Sequence, residues 1–359
     1  MNFVFSVQGE GRGHMTQAIS LYEMLVANGH TVSAVILGSS GKRAKPDFFY
    51  KKVKTRIVEV ETPNFVTDKD NKSIKVFKSV VHGLRHIDTY KRSFRAIDDT
   101  IRELKPDAVI NFFELLTGYY FYRKKPAVKH ICIAHQYIYL HKKFEFPKGF
   151  LGDRIALKFF TRITSCRADK KLAISFYDLP EQFDSVKIVP PLLRRELFDL
   201  KSETQDYILV YLVNNGYARE LANWHREHEK VVLHCFTDTI TARDIEYGHP
   251  NFNIHQISDK EFLDKMASAR GLATTAGFES VCEAMYLGKP VLMVPIQGHF
   301  EQYCNSRDAY KAGAGVYDTT FNVSRLIHVA PNFMENTNQR FKEWVNKSEA
   351  MIYNELISV

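Results

Sequence analysis

Three glycines at alternate positions and a histidine follow the first apolar run of the chain. In the stretch QGEGRGHMTQA they are Gly9, Gly11, Gly13 and His14. Glycine lets a ligand or another backbone approach closely, and the free N–H groups of a following helix attract anions. A histidine near that helix start could accept a proton, because the helix dipole disfavours its charged form. The stretch predicts either a tight strand-to-helix turn or a ligand-binding loop that contains a general base.

The glycine spacing differs from the two common nucleotide-binding motifs. A dinucleotide fingerprint needs G-x-G-x-x-G and an acidic residue at the end of the second strand. This chain has G-x-G-x-G, and its second predicted strand ends in ILGSS, residues 36–40. No G-K-[ST] follows that would make a phosphate-binding P-loop. The sequence therefore argues against NAD as a ligand.

A second pattern, TTAGFESVCEAMYLGKPVLMVPIQGHFEQYCNS, lies in the other half of the chain. A helix is predicted to start after Gly277, where the missing side chain leaves room for a phosphate that Ser280 and the free N–H groups can hold. Glu283 lies three residues beyond Ser280 on the same helix face, where it could accept hydrogen bonds from ribose hydroxyls. Glu301 and Gln302 are suited to the hydroxyls of a sugar.

A loop that follows the first predicted strand of the second half offers further phosphate contacts. The residues VNNG end that strand and open a helix, so the backbone amides of Asn215 and Gly216 could meet a pyrophosphate. The alternative is an ordinary turn. His135 follows another predicted strand, and it could contact an acceptor or hydrogen-bond loop backbone.

Short β-branched or aromatic runs alternate with longer amphipathic segments, which is the pattern of an α/β protein with parallel sheets. In the first half the predicted strands cover residues 3–7, 32–37, 56–60, 108–111, 129–133, 171–174 and 186–189. In the second half they cover residues 207–213, 231–236, 253–255, 271–273 and 291–294. Two doubly wound, Rossmann-like domains are expected.

The domain boundary is predicted at Pro190-Pro191, because paired prolines cannot extend a strand and stiffen a short linker. A polar stretch, residues 201–206, follows it. We therefore expect an N-terminal domain, a C-terminal domain and a terminal helix that can pack back on the first domain, over residues 1–195, 196–337 and 338–359.

Composition sets broad limits on function. The chain of 359 residues has 49 Lys and Arg against 41 Asp and Glu, a formal net charge of +8 that favours anionic partners. Nucleic acid is not an expected partner, since no basic run or RNA-binding signature is present. The five cysteines are an odd number without C-x-x-C spacing, so reduced core thiols are expected. No cleavable leader or long apolar run is seen, which predicts a cytoplasmic protein, at most peripheral to the inner membrane face.

The two motifs together resemble the nucleotide-sugar glycosyltransferases of GT-B fold, above all the inverting branch with the peptidoglycan N-acetylglucosaminyltransferase and the UDP-glycosyltransferases. The family pattern runs approximately H-x-G-x-x-[ST]-x-x-E-A, then G-x-P-x-x-x-x-P, then [DE]-Q-x-x-N-A. The matching residues are Thr275, Gly277, Ser280, Glu283, Ala284, Gly288, Pro290, Pro295, Glu301, Gln302, Asn305 and Ser306. Thr275 departs from the pattern, because many members have histidine there.

The resemblance implies a GT-B fold with two Rossmann-like domains facing a central cleft, of which the N-terminal one (residues 1–195) binds the acceptor and the C-terminal one (residues 196–337) binds the nucleotide sugar. It implies transfer of a hexose or N-acetylhexosamine from a nucleotide diphosphate sugar, expected to be UDP-linked, to a hydroxyl of a sugar or of a lipid-linked or cell-envelope glycan. His14 is implied as the general base, with Glu10 orienting its ring or contacting the acceptor. The loop of Gly11, Arg12 and Gly13 is implied to approach the acceptor and the donor diphosphate.

The stereochemistry and the need for cofactors follow from the same comparison. Retaining members commonly carry two glutamates in an E-x7-E pattern, whereas Thr275 stands eight residues before Glu283. Inversion is therefore expected. A single displacement needs a base and N–H dipoles at the leaving diphosphate, so neither a metal nor another cofactor is expected.

Basic and aromatic side chains are mixed over residues 140–171. The mixture suits weak association with an acidic membrane surface or a lipid-phosphate acceptor. It equally suits an amphipathic helix that packs its aromatic face on the core. Two other functions stay open for the whole chain: a nucleotide-sugar 2-epimerase of the same fold, and a sugar-nucleotide-binding module without catalysis.

Overall fold

The computed structural model of the chain describes residues 1–40, 47–63, 87–180, 185–212, 215–237, 246–333 and 335–358. These residues form two compact units. The first unit contains residues 1–63, 87–194 and 344–358, and the second contains residues 195–343, both with the gaps just given. Within the described ranges, no helix combines the length and apolarity that a membrane-spanning segment needs.

The first unit is built on a seven-stranded parallel sheet with the strand order β3-β2-β1-β4-β5-β6-β7. Its strands are β1 Asn2–Gln8, β2 Thr31–Ser39, β3 Arg56–Glu61, β4 Ala108–Phe112, β5 Lys129–Ala134, β6 Lys170–Ile174 and β7 Lys187–Val189. The central strands are apolar on both faces because helices cover both faces of the sheet. Phe5, for example, pairs with Val35 on β2 and with Ile110 on β4, and all three side chains are fully buried.

The helices of the first unit follow the loops at the carboxyl ends of the strands, where the candidate site lies. They are α1 Arg12–Ala27, α2 Asp47–Lys52, α3 Ile87–Leu104, α4 Leu115–Lys124 and α5 Leu151–Thr164, with a short 3-10 segment at His135–Leu140. The apolar faces of α3 and α4 pack on the sheet through Ile97, Leu116 and Phe121.

The second unit repeats the doubly wound pattern in a six-stranded parallel sheet of order β10-β9-β8-β11-β12-β13. Its strands are β8 Ile208–Leu212, β9 Leu233–Thr237, β10 Phe252–Gln256, β11 Gly271–Thr274, β12 Val291–Met293 and β13 Gly315–Tyr317. Its helices are α6 Asn215–Arg226, α7 Asp259–Ser268, α8 Phe278–Tyr286, α9 Phe300–Lys311 and α10 Val323–Val329. The core joins α6 to the sheet through Leu221, Val210 and Cys235.

One strand of the structure was not predicted, and the predicted bounds of the others lie within two residues of those observed. β13 was not predicted, because its three residues are too few to show a pattern. β9 begins at Leu233, two residues later than expected, and β12 ends at Met293 before Pro295. Val213, the last residue of another predicted strand, lies outside the described residues.

The end of the chain forms two helices, α11 Glu335–Val345 and α12 Ser348–Ile357, where the sequence predicts one. Asn346, a poor helix former, lies at the break. Residues after the break belong to the first unit. The Trp344 indole N–H donates to the Ser175 carbonyl at 2.9 Å, and the Lys170 ammonium bonds the Glu355 carboxylate at 3.0 Å.

All five cysteines are free thiols. Four are buried, and Cys166 is partly buried. Burial raises the pKa of the Cys132, Cys235 and Cys282 thiols, which keeps them protonated and unreactive. They act as small apolar core residues.

Candidate active site

In the glycine loop after β1, close packing explains why Gly9 has no side chain, but it does not explain Gly11. The Gly9 N–H donates to the Gly38 carbonyl at 2.6 Å, and a Cβ on Gly9 would lie only 2.8 Å from that oxygen. Close passage of β2 therefore explains Gly9. A Cβ on Gly11 would meet no atom of the described residues within 4 Å. Gly11 precedes α1 without any side-chain cap, so it leaves open space at the helix N-terminus.

Glu10 and Arg12 each make contacts that hold this loop. The Glu10 N–H donates to the Gln8 side-chain oxygen at 2.7 Å, and the Glu10 carboxylate accepts from the Ser40 N–H at the end of β2. The Arg12 guanidinium lies 4.2 Å from the centre of the Phe48 ring on α2. These contacts support the loop. The roles suggested for Glu10 at the His14 ring or the acceptor stay predictions.

His14 lies in the first turn of α1, which begins at Arg12, and its side chain is partly buried. The ring stacks on Phe113 with 5.8 Å between ring centres and 19° between planes. Burial lowers the pKa of His14 to about 4, and the Gln17 side chain opposes this shift more weakly. The imidazole is therefore neutral at pH 7 and able to accept a proton.

Gln136 supports one nitrogen of that ring. Its side-chain nitrogen lies 3.4 Å from His14 Nε2, and Gln136 itself is buried. If the amide donates to Nε2, the neutral imidazole carries its proton on Nδ1. An acceptor hydroxyl that displaced this amide would meet the lone pair of Nε2.

Phe113, which stacks on His14, is held in a strained backbone conformation. Its φ of 61° lies in the left-handed region, which residues other than glycine rarely adopt. A hydrogen-bond network fixes this turn: the Glu114 N–H donates to Asn111 Oδ1 at 2.6 Å, and the Glu114 carboxylate caps α4 by accepting from Thr117 N–H at 2.6 Å. Burial raises the pKa of Glu114. The strain is consistent with a turn that serves a binding site.

The sequence alone missed the contribution of Phe113. One available signal was the turn N-F-F-E at the carboxyl end of β4, where ligands of parallel sheets commonly bind. The stacking on His14 joins two elements almost one hundred residues apart, so no local pattern shows it.

His135 contacts backbone. Its Nδ1 lies 2.7 Å from the Ile174 carbonyl at the end of β6, and its ring packs on Phe176 and Tyr139. The side chain is buried. This geometry favours the second of the two roles open to His135, the hydrogen bond to loop backbone, and leaves the polar contact with His14 to its neighbour Gln136.

In the second unit, α8 begins directly after Gly277, as the sequence predicts. Gly277 provides no side-chain cap, and a Cβ there would meet only the Thr275 carbonyl, at 3.8 Å. The start of the helix therefore has no N-cap side chain that would compete with an anion. Ser280 lies partly buried in this first turn, whereas Thr275 is buried.

Glu283 is buried more deeply than its predicted role suggests. The residue is 1% exposed, and it lies near the buried Glu279 and Cys282 on the inner side of α8. A carboxylate that receives ribose hydroxyls is expected to keep an oxygen accessible. A hydrogen bond from a ribose hydroxyl to Glu283 would also be electrostatically stronger at this buried position than in water.

Two amide side chains of α9 hold the loops that follow β11 and β12. Gln302 accepts a hydrogen bond from the Ile296 N–H at 2.9 Å, and Asn305 donates to the Ala276 carbonyl at 3.3 Å. Asn305 thereby ties α9 to the turn before α8. Glu301 is partly exposed in the first turn of α9. Gln302 thus positions a loop, and its predicted contact with a sugar stays a prediction.

The glycine-asparagine loop after β8 is described only in part. Asn215 is the first residue of α6 and Gly216 the second, both at the carboxyl edge of the sheet. Val213, Asn214 and the side chain of Asn215 lie outside the described residues. The backbone position agrees with the predicted phosphate contact without testing it.

The lowered pKa of His14 predicts a pH effect on stability. Its usual pKa is 6.5, so between about pH 6.5 and 4 the unfolded chain binds a proton that the folded protein does not. The contribution of a neutral His14 is complete above pH 6.5 and is lost as the pH falls toward 4. We expect the melting temperature, measured by calorimetry, to fall less between pH 7 and pH 5 in His14→Gln than in the wild type. Parallel curves for the two proteins would contradict the shift.

Known structures with the same architecture are glycosyltransferases. CalG4, the calicheamicin glycosyltransferase, is 14% identical; the match covers 99% of this chain and 97% of that chain with a TM-score of 0.61. MurG of Acinetobacter baumannii is 13% identical, with 100% and 99% covered and a TM-score of 0.57. These likenesses and the two parallel sheets define the fold as GT-B.

The family follows from a sequence model. The model described as glycosyl transferase family 1 matches residues 1–333, so the chain belongs to that family and is a glycosyltransferase. One relative is the UDP-N-acetylglucosamine--N-acetylmuramyl-(pentapeptide) pyrophosphoryl-undecaprenol N-acetylglucosamine transferase of Fusobacterium nucleatum. It is 24% identical over an alignment of 324 positions, and the match covers 82% of this chain and 78% of the relative.

Proposed function

We propose that the enzyme transfers a sugar from a UDP-linked donor to a hydroxyl of a lipid-linked acceptor and inverts the anomeric configuration. The observation that carries the proposal is His14, a neutral and partly buried imidazole beside an open helix N-terminus. The acceptor class is suggested by the Fusobacterium relative, whose name includes a pyrophosphoryl-undecaprenol substrate.

The donor is assigned to the second unit. The uncapped N-terminus of α8, the space at Gly277 and the hydroxyl of Ser280 suit a diphosphate. Glu283 and Glu301 are the candidates for the ribose and the sugar, and the amides of Asn215 and Gly216 for the pyrophosphate. A solved structure of the same fold, UGT2 of Phytolacca americana, is complexed with UDP-2fluoro-glucose; it is 12% identical, with 99% of both chains covered and a TM-score of 0.62.

The chemistry assigned to His14 is a single displacement. The acceptor oxygen forms a bond to the anomeric carbon, the bond from that carbon to the diphosphate oxygen breaks, and the acceptor proton passes to His14 Nε2. The electron pair leaves with UDP, whose charge is stabilised by N–H dipoles at a helix N-terminus. The neutral ring is available for this step at pH 7 because its pKa is low.

A test of donor and stereochemistry uses the full chain. We expect UDP, among nucleoside diphosphates, to raise the melting temperature most, since a ligand at 100 times its Kd stabilises a protein by about 2.7 kcal/mol. Transfer from an α-linked UDP-sugar should give a β-linked product by NMR and should continue in EDTA, because no metal is assigned to the step. An α-linked product would contradict inversion, and an epimerised donor without acceptor would indicate an epimerase.

The location belongs to the same proposal. A lipid-linked acceptor requires the enzyme to work at a membrane, so we propose a cytoplasmic protein that associates weakly with an acidic membrane surface. The charge of the chain, +8, agrees in sign with that partner.

A further inference from the structure

Helix α5, Leu151–Thr164, presents a row of large apolar side chains to solvent. Leu151, Ile155 and Phe159 are spaced four residues apart, so they share one helix face, and they are 70%, 59% and 62% exposed. Phe150, just before the helix, is also exposed. Three such residues in one row make a contiguous apolar patch, which is uncommon on the surface of a protein that contacts only water.

A row of cations runs beside the apolar row. Arg154, Lys158 and Arg162 have the same spacing of four residues and are displaced by one position along the helix surface. The first two lie 4.8 Å and 5.2 Å from the centre of the Phe146 ring, which orients them on this side of the helix. Over residues 142–162 the chain has six cations and two acids; the other members are Lys142, Lys143, Lys148, Glu145 and Asp153.

The opposite face of α5 explains why the apolar row is outside. That face buries Thr161 and Thr164 against α4, where a Cβ on Gly118 would lie 2.2 Å from the Ile163 carbonyl. The two helices approach closely at Gly118, so this part of the interface leaves no space for large side chains. Leu157, Phe160 and Ile163 are partly buried, so α5 has apolar side chains on its protein-facing side in addition to the exposed row. The alternative of a helix that packs its aromatic face on the core therefore holds for Phe160, which packs on Phe113, and not for Phe159, which is exposed.

We infer that α5 seats the first unit on an anionic lipid bilayer. The apolar row enters the boundary between headgroups and acyl chains, and the cation row pairs with lipid phosphates. A second copy of the chain is the poorer occupant. Two such faces would bring the three cations of one copy against the three cations of the other, and these charges repel each other.

The inference deepens the proposed function by naming the surface that would bring the enzyme to a lipid-linked acceptor. It uses none of the residues assigned to donor or acceptor binding. Inside the protein, Phe160 of α5 packs on Phe113 with 5.9 Å between ring centres, and Phe113 stacks on His14. In the membrane-bound protein, the rings of Phe160 and Phe113 would thus connect the lipid-facing helix to the proposed base.

The test is co-sedimentation of the full chain with vesicles at low salt. We expect binding to vesicles that contain phosphatidylglycerol, little binding to pure phosphatidylcholine, and release as salt rises. The variant Leu151→Gln/Ile155→Gln/Phe159→Gln should bind at least tenfold more weakly. The variant Arg154→Gln/Lys158→Gln/Arg162→Gln should also weaken binding, by about fivefold for each cation removed.

Matched controls remove the same number of exposed groups elsewhere. Val26→Gln/Phe198→Gln/Tyr310→Gln removes three exposed apolar side chains, and Lys230→Gln/Lys260→Gln/Arg340→Gln removes three exposed cations. Both should bind like the wild type. Melting curves and the UDP-induced shift should be unchanged in all four variants, because the altered side chains are at the surface.

Three results would overturn the inference. The first is no sedimentation of the wild type with anionic vesicles, and the second is equal binding by the α5 variants and their controls. The third is concentration-dependent dimerisation in analytical ultracentrifugation that the apolar-row variant abolishes, which would make a second copy the occupant. If UDP shifts and transfer to a water-soluble acceptor persist in any of these cases, the proposed function stands while the membrane surface falls.

Discussion

His14→Ala is expected to lower sugar transfer by about 10² to 10⁴-fold, the usual contribution of a positioned general base. UDP binding should change little, because the nucleotide contacts are assigned to the second unit, whereas His14 belongs to the first. Steady-state kinetics with titration calorimetry of UDP separates the two effects. The loss should appear in kcat and in kcat/KM alike, as expected for an interaction made in the transition state.

Two comparisons keep this result distinct from a loss of folding. His14→Gln should retain the fold but not the base, so it should be as inactive as the alanine variant. His135→Ala is the matched histidine control, because His135 bonds the backbone of β6, and its loss should lower the melting temperature more than the turnover of the folded protein. Transfer near the wild-type rate in His14→Ala would reject the mechanism while leaving the family assignment intact.

Glu283→Ala is expected to weaken UDP binding by roughly tenfold to a hundredfold. A hydrogen bond is worth about 1 kcal/mol net, and losing one at a buried group costs about 1–3 kcal/mol. Glu283 is almost completely buried, so the loss should lie toward the upper end. Glu283→Gln, which keeps the size of the side chain and one acceptor oxygen, should lose less.

A nucleotide without ribose hydroxyls shows whether Glu283 contacts the ribose. The wild type should bind 2′,3′-dideoxy-UDP more weakly than UDP, and Glu283→Ala should bind the two equally. If the variant still prefers UDP by the same factor, the ribose contact has been assigned to the wrong residue. A fall in the melting temperature of Glu283→Ala without any change in UDP affinity would indicate that Glu283 stabilises the packing of α8 and does not bind the nucleotide.

The positions of most strands were predictable from the sequence because each buried parallel strand is a short apolar run. The segments around Phe5, Ile110 and Ile133 are buried on both faces, so their composition alone indicates strands. β13 and the break at Asn346 were not predictable, since a three-residue strand and a short interruption depend on tertiary contacts.

The site was predictable where one segment contains both the structural signal and the chemical group. Gly277 and Ser280 are such a case, since the glycine and the helix start are neighbours in sequence. The surroundings of His14 are the opposite case. Phe113 and Gln136 come from the ends of different strands, and only folding of the sheet brings them to the ring.

Residues 344–358 complete the first unit, which has a consequence for folding during synthesis. Trp344 and α12 contact elements formed from residues 1–194, so the second unit is an insertion between them. The described residues of the second unit all lie within residues 195–343, a stretch that can fold as soon as it leaves the ribosome. The first unit must wait, with its site for α12 uncovered, until residues 344–358 have been made. Chains released early would therefore present an incomplete N-terminal unit to chaperones and proteases, although almost all of its strands had already been made.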